Sequence, residues 1–134
     1  MGWIFGCVMA EISVLYVDEV VEFDQKQVRH LFKLLGNKEA SLVMASAMGE
    51  LAERLTLAEA LFQAGNMGEL TPVLQGIEKI ATEIGMRSLT QASRAVLSTI
   101  RADVAAATSA TFFRLLRIGD RSLSDYRLLC DTSG

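Results

Sequence analysis

Residues 65–85, GNMGELTPVLQGIEKIATEIG, carry the pattern from which the rest of the fold follows. Glycines stand at both ends. Between them Leu70, Val73, Leu74, Ile77, Ile80, Ala81 and Ile84 fall on one side of a helix that turns about 100° per residue. Gly65-Asn66 reads as a helix stop followed by a start: Asn66 can cap, and Glu69 three residues on completes a capping-box pattern. Pro72 leaves two starts open. A helix from Asn66 puts Pro72 past the first turn, where it removes one backbone hydrogen bond; a helix from Thr71 puts it at the favoured N1 position. Either way, Gln75 and Lys79 point about 160° from the core direction and Pro72 about 140°, so the far side is an exposed face.

Similar periods flank this stretch. Upstream, Asp24 is a candidate N-cap for a short helix with Val28, Leu31, Phe32 and Leu35 on its apolar side, stopped by Gly36-Asn37. A longer helix from about Lys38 to Ala64 places Met44, Met48, Leu51, Leu55, Ala58 and Phe62 on one stripe. Downstream of Gly85, a fourth helix turns Leu89, Ala92, Val96, Ile100, Val104 and Ala107 to the core, and Arg87, Arg94 and Arg101 away from it as a solvated stripe. Asp103 falls toward the core side and is expected to meet an arginine or a helix end. The last helix carries Phe112, Leu115, Leu116, Leu123 and Tyr126; Gly119-Asp120 is a candidate break, after which Ser122 and Asp125 could cap a separate final turn. The methionines read as core filler. The expected fold is all-α: an antiparallel four-helix bundle with a short leading helix over residues 21–134.

Composition narrows the function. The 134 residues are 51% hydrophobic and 22% charged with a single proline, which suits one domain with a real core. A net charge of −3 gives no global field for nucleic acid. Cys7 and Cys130 lack CxxC spacing and His30 is the one histidine, so zinc sites and Cys/His dyads lack parts; no metal, no cofactor and no enzyme activity are expected. Residues 1–20 form an apolar leader. Glu11 interrupts it and Asp18-Glu19 close it before the roughly 20 residues a membrane-spanning helix needs, so no stable membrane insertion is expected. No basic residue precedes Lys26, as an export signal would require, and the chain is expected in the cytoplasm. The β-rich run Ile12–Val17 docks on the bundle, turns helical, or pairs with a second copy as a homodimer contact.

The order of these elements, over about residues 21–128, resembles the histidine-containing phosphotransfer (HPt) domain of bacterial phosphorelays. The resemblance is carried by Val21-Glu22-Phe23-Asp24, by Ala60-Leu61-Phe62-Gln63-Ala64-Gly65-Asn66 and by Ile84-Gly85-Met86-Arg87-Ser88-Leu89. In that family a Gly-Asp turn is followed, ten residues after the glycine, by the phosphorylated histidine of an H-x-L-K-G pattern, and a Leu-Gly pair closes the helix ten residues later. Ten from Gly65 is Gln75, and ten more is Gly85. The motif here reads Gln75-Gly76-Ile77-Glu78-Lys79: Gln75 stands for the histidine, Ile77 for the buried leucine, Glu78 for the lysine and Lys79 for the glycine. An amide nitrogen, its lone pair delocalised into the carbonyl, does not form a phosphoramidate as an imidazole does. Glu78 reverses the charge that would neutralise a phosphate. Lys79 restores part of that charge but crowds a docking partner, while Gly76 opens space elsewhere on the helix.

The resemblance implies a non-catalytic interaction module of two-component signalling. It would dock a response-regulator receiver domain or a histidine kinase through Thr71, Pro72, Gln75, Gly76, Glu78, Lys79 and Thr82 without relaying phosphate. Gln75 also has a plain reading as a good helix former at an exposed position. His30, in the leading helix and without a second histidine, reads as a surface or packing residue rather than a displaced phosphoacceptor. Residues 1–78 hold five basic and eleven acidic groups, a net of −6, and residues 79–134 eight and five, a net of +3. That polarity can orient docking or let the helices complement one another. The alternative is a structural or oligomerisation bundle unrelated to phosphorelay.

Overall fold

The structure, a computed structural model, describes residues 24–133, with side chains through Arg127. The expected leader over residues 1–20, any dimer contact through it, and Val21, Glu22 and Phe23 lie outside the described residues. The described chain is all helix: α1 (Gln25–Leu35), α2 (Asn37–Gln63), α3 (Met67–Glu83), α4 (Arg87–Ala102) and α5 (Ala105–Ser133), with no strand among the described residues. None of these helices is long and apolar enough to cross a membrane.

The starts and stops have local causes. Asp24 Oδ1 accepts from the backbone N–H groups of Lys26 and Gln27 at 3.1 and 3.2 Å, capping α1. Gly36 (φ +83°) separates α1 from α2. Asn66 Oδ1 accepts from Glu69 N–H at 3.1 Å, so α3 starts at Asn66 and Pro72 lies inside it. The carbonyl that Pro72 leaves without a helical donor is that of Gly68, an exposed residue that water reaches. After α2 and α3 the chain turns through Gly65 (φ +73°) and Gly85 (φ +78°) in Schellman motifs. In the first, Asn66 N–H donates to Leu61 O and Gly65 N–H to Phe62 O; in the second, Met86 N–H donates to Ala81 O and Gly85 N–H to Thr82 O.

A third turn of this type was not expected. The sequence pattern carries the fourth helix on to Ala107, but α4 ends at Ala102 and Asp103 takes φ 57°, ψ 44°. Asp103 N–H donates to Ile100 O and Val104 N–H to Thr99 O, a Schellman motif with aspartate in the left-handed position. Aspartate visits that region more readily than most side chains, and the apolar period resumes in phase closely enough to hide the break. Asp103 thus meets a helix end and is exposed, and Val104 is exposed rather than in the core. The reverse holds in α5, which runs unbroken through Gly119-Asp120. A Cβ on Gly119 would come within 2.7 Å of Leu55 Cδ1, so this glycine brings α5 close to α2. Ser122 is buried and donates to Ile118 O at 2.7 Å, while Asp125 pairs with Arg121 at 3.6 Å; neither caps a new turn.

Most of the predicted stripe residues form the core, joined by Ile118, which was not among them, while Leu116, Leu123 and Tyr126 are only partly buried. Met44, Met48, Leu51, Leu55 and Ala58 of α2 meet Leu70, Leu74, Ile77 and Ala81 of α3, then Leu89, Ala92 and Val96 of α4 and Phe112, Leu115 and Ile118 of α5. Phe62, half-buried, stacks on Phe112 with centroids 4.3 Å apart and planes 11° from parallel, an arrangement worth about 0.5–1.5 kcal/mol beyond burial. The buried hydroxyls of Thr90, Ser93, Thr108 and Ser122 each donate to the carbonyl four residues earlier, so none is an orphan. Each long helix packs chiefly on the next in the chain, and α2 also meets α5. α1 lies against α2 and is tied to the α3–α4 turn: Asp24 N–H donates to Gly85 O, and Gln27 Nε2 donates to Glu83 O at 3.1 Å.

Candidate functional site

The apolar half of α3 is fixed between α2 and α4, so its opposite side faces outward as a consequence of helical geometry. Pro72, Gln75, Lys79 and Thr82 are exposed there, spaced by three, four and three residues along one ridge. Thr71, Gly76 and Glu78 are half-buried on its flanks and are occupied by the chain itself. Thr71 Oγ1 donates back to Met67 O at 3.0 Å. Glu78 accepts a charge-assisted hydrogen bond from Arg94 Nε on α4. The Glu78 carboxylate is thereby compensated within the bundle.

Gly76 does not leave open space. A Cβ there would lie 3.1 Å from Arg54 Nε and 3.6 Å from its Cδ, so the α2 arginine crosses the helix at the position where the side chain is missing. Arg54 also approaches Glu50 at 3.4 Å. At the C-terminal end of the ridge, Thr82 Oγ1 donates to Glu78 O at 2.7 Å and packs 3.2 Å from the Thr90 hydroxyl of α4, whose own proton goes to Met86 O. A shallow cleft continues from Thr82 over the α3–α4 turn, with Arg87, Thr90 and Arg94 on its walls.

The seven expected docking residues therefore share one helix but not one setting: four are exposed along the ridge, and three are half-buried on its flanks. Arg54 was missed because its contact depends on how α2 lies across α3, which local sequence does not encode. The sequence pattern places Arg94 in a solvated stripe. Its pairing with Glu78, and that of Arg87 with Asp24 at 3.6 Å, ties that stripe to the rest of the molecule. His30 is exposed on α1, a different helix from Gln75. Among the described residues, no group of three His, Cys, Asp or Glu side chains could hold a metal ion. The chain matches no known family model, no curated protein and no solved structure.

Proposed function

We propose that the chain is an HPt-like antiparallel four-helix bundle that acts in the cytoplasm as a non-catalytic interaction module of two-component signalling. It docks a receiver domain or histidine kinase through the α3 ridge and relays no phosphate. The observation that carries this reading is Gln75 at the midpoint of the Gly65–Gly85 frame, exposed on a ridge with Pro72, Lys79 and Thr82. The frame keeps a phosphoacceptor's presentation, while an amide cannot be the acceptor.

Binding of the purified chain to a panel of receiver and kinase domains tests it. A cognate domain should bind, and Gln75→Glu with Lys79→Glu should weaken it about tenfold or more, the equivalent of roughly 1.4 kcal/mol. Binding indifferent to both substitutions, or phosphoryl label accepted by the chain and lost in His30→Ala, refutes the reading. The oligomerisation alternative is favoured by Leu57 on α2 and Phe113 on α5, large apolar side chains about half exposed. Self-association that Phe113→Glu abolishes would select it.

A further inference from the structure

Four large apolar side chains face outward around the Gly36 turn: Leu34 (68% exposed) and Leu35 in the last turn of α1, Leu42 (63%) and Val43 in the second turn of α2. At about 1.5 Å of rise per residue, all four lie within about 10 Å of that turn along the helix axes. The same hairpin is basic. Lys26, Arg29, Lys33 and Lys38 are exposed, and no acid stands between Gln25 and Lys38. Lys26, Arg29 and Lys33, spaced by three and four residues, share the side of α1 turned away from the half-buried Val28, Leu31 and Phe32. We propose that the α1–α2 hairpin is a peripheral membrane contact that lies on an anionic lipid surface, its cations among the headgroups and its exposed leucines at the acyl boundary.

Charge complementarity selects this occupant. The chain as a whole carries −3, but at physiological salt charges more than about 8 Å away are screened, so the local sign decides. From Asp24 to Val43 the four bases face only two acids, Asp24 and Glu39, and Asp24 is paired with Arg87 at 3.6 Å. Each lysine or arginine close to an anionic leaflet strengthens binding about fivefold. The long lysine stems let the ammonium groups stay at headgroup level while neighbouring leucines go deeper. An open concavity at the start of α1, whose lining includes Lys26, Arg29, His30 and Arg87, has room for a headgroup. A lipid surface is fluid and takes up protruding leucines without a matching cavity, which a folded acidic protein would have to supply. The contact is peripheral, since no described helix is long and apolar enough to cross a membrane. None of these residues belongs to the α3 ridge, so the two proposals fail separately.

Flotation of the full chain with lipid vesicles tests it. Phosphatidylcholine vesicles containing about a third phosphatidylglycerol should bind it about tenfold more tightly than phosphatidylcholine alone, and raising salt from about 0.05 to 0.5 M should remove most of that gain. Lys26→Gln with Lys33→Gln should weaken binding to the anionic vesicles by about ten- to thirtyfold, and Lys26→Arg with Lys33→Arg should retain it. Leu34→Ser with Leu42→Ser should weaken it about tenfold at unchanged helical circular dichroism. Arg101→Gln with Arg114→Gln, at exposed cations of α4 and α5, should leave it unchanged. No binding to anionic vesicles, equal binding to neutral ones, binding that survives both the lysine-to-glutamine and the leucine substitutions, or an equal loss in the Arg101 and Arg114 variant would overturn the proposal. So would a chain that ignores vesicles but binds polyglutamate, or one that instead forms a dimer abolished by the leucine substitutions.

Discussion

Replacing Gly85 with alanine asks two things of one position. Its φ of +78° lies in the left-handed region, where a side chain costs about 1–2 kcal/mol, partly offset by about 0.4–1 kcal/mol from the stiffer unfolded chain. A Cβ there would also stand 2.9 Å from the backbone oxygen of Asp24 and 3.1 Å from Val28 Cγ2. Asp24 O is backbone, so the clash is relieved only by moving α1 off the turn, which breaks the Asp24 N–H to Gly85 O bond. Losing one such bond costs about 0.5–1.5 kcal/mol, and displaced packing of Val28 adds to it. The expected total is about 2–3 kcal/mol. Gly65→Ala is the internal control: its φ is +73°, but nothing lies within 4 Å of its Cβ, so it should cost only the backbone part, about 1 kcal/mol or less. Urea unfolding of both variants gives the difference, and amide exchange should show α1 deprotected in Gly85→Ala alone. Equal costs with α1 equally protected would refute the claim that Gly85 is required for α1 to approach.

Asp103→Gly should stabilise the protein by about 0.5–1 kcal/mol in thermal or urea unfolding, since glycine removes the left-handed penalty and a negative charge from the C-terminal end of α4. Asp125 has its pKa raised, chiefly by burial, against the opposing charge and hydrogen bond of Arg121. The native state thus holds the proton more tightly than the unfolded chain. The stabilisation is full below the ordinary carboxylate range and is lost as pH rises through the folded pKa. Asp125→Asn should match the parent protein at pH about 3 and exceed it slightly at pH about 7, by urea unfolding at both values.

Most helix bounds were legible because their signals are local. As helix stops and starts, Asp24, Gly36, Gly65 and Gly85 each act through chain neighbours, and most of the apolar stripes of α2 and α3 are buried in the core, with Phe62, Val73 and Ile80 partly buried at its edge. Two glycine-like signals were misleading for one reason. Gly119 lies inside a helix, with Leu55, sixty-four positions away, in the space its Cβ would take, whereas Asp103 is a turn although it is not a glycine. Only the tertiary arrangement separates a glycine kept for its dihedrals from one kept for its missing Cβ. The ridge of α3 could be read from helical phase, and the choice between Asn66 and Thr71 as its start was decided by one side-chain oxygen. The guanidinium groups of Arg54 and Arg94, which flank the ridge, could not be read, since each reaches it from a neighbouring helix.

The stacked pair Phe62 and Phe112 joins positions fifty residues apart, while α2–α3, α3–α4 and α4–α5 pack as hairpins closed by turns of two or three residues. Loop closure is entropically cheaper for the hairpins, so they can assemble early, and the α2–α5 seam is left to close late. An interaction formed after the folding barrier shows itself in the unfolding rate. The aromatic stack is therefore expected to act as a latch on the finished molecule: Phe62→Ala should speed unfolding more than it slows folding in stopped-flow kinetics.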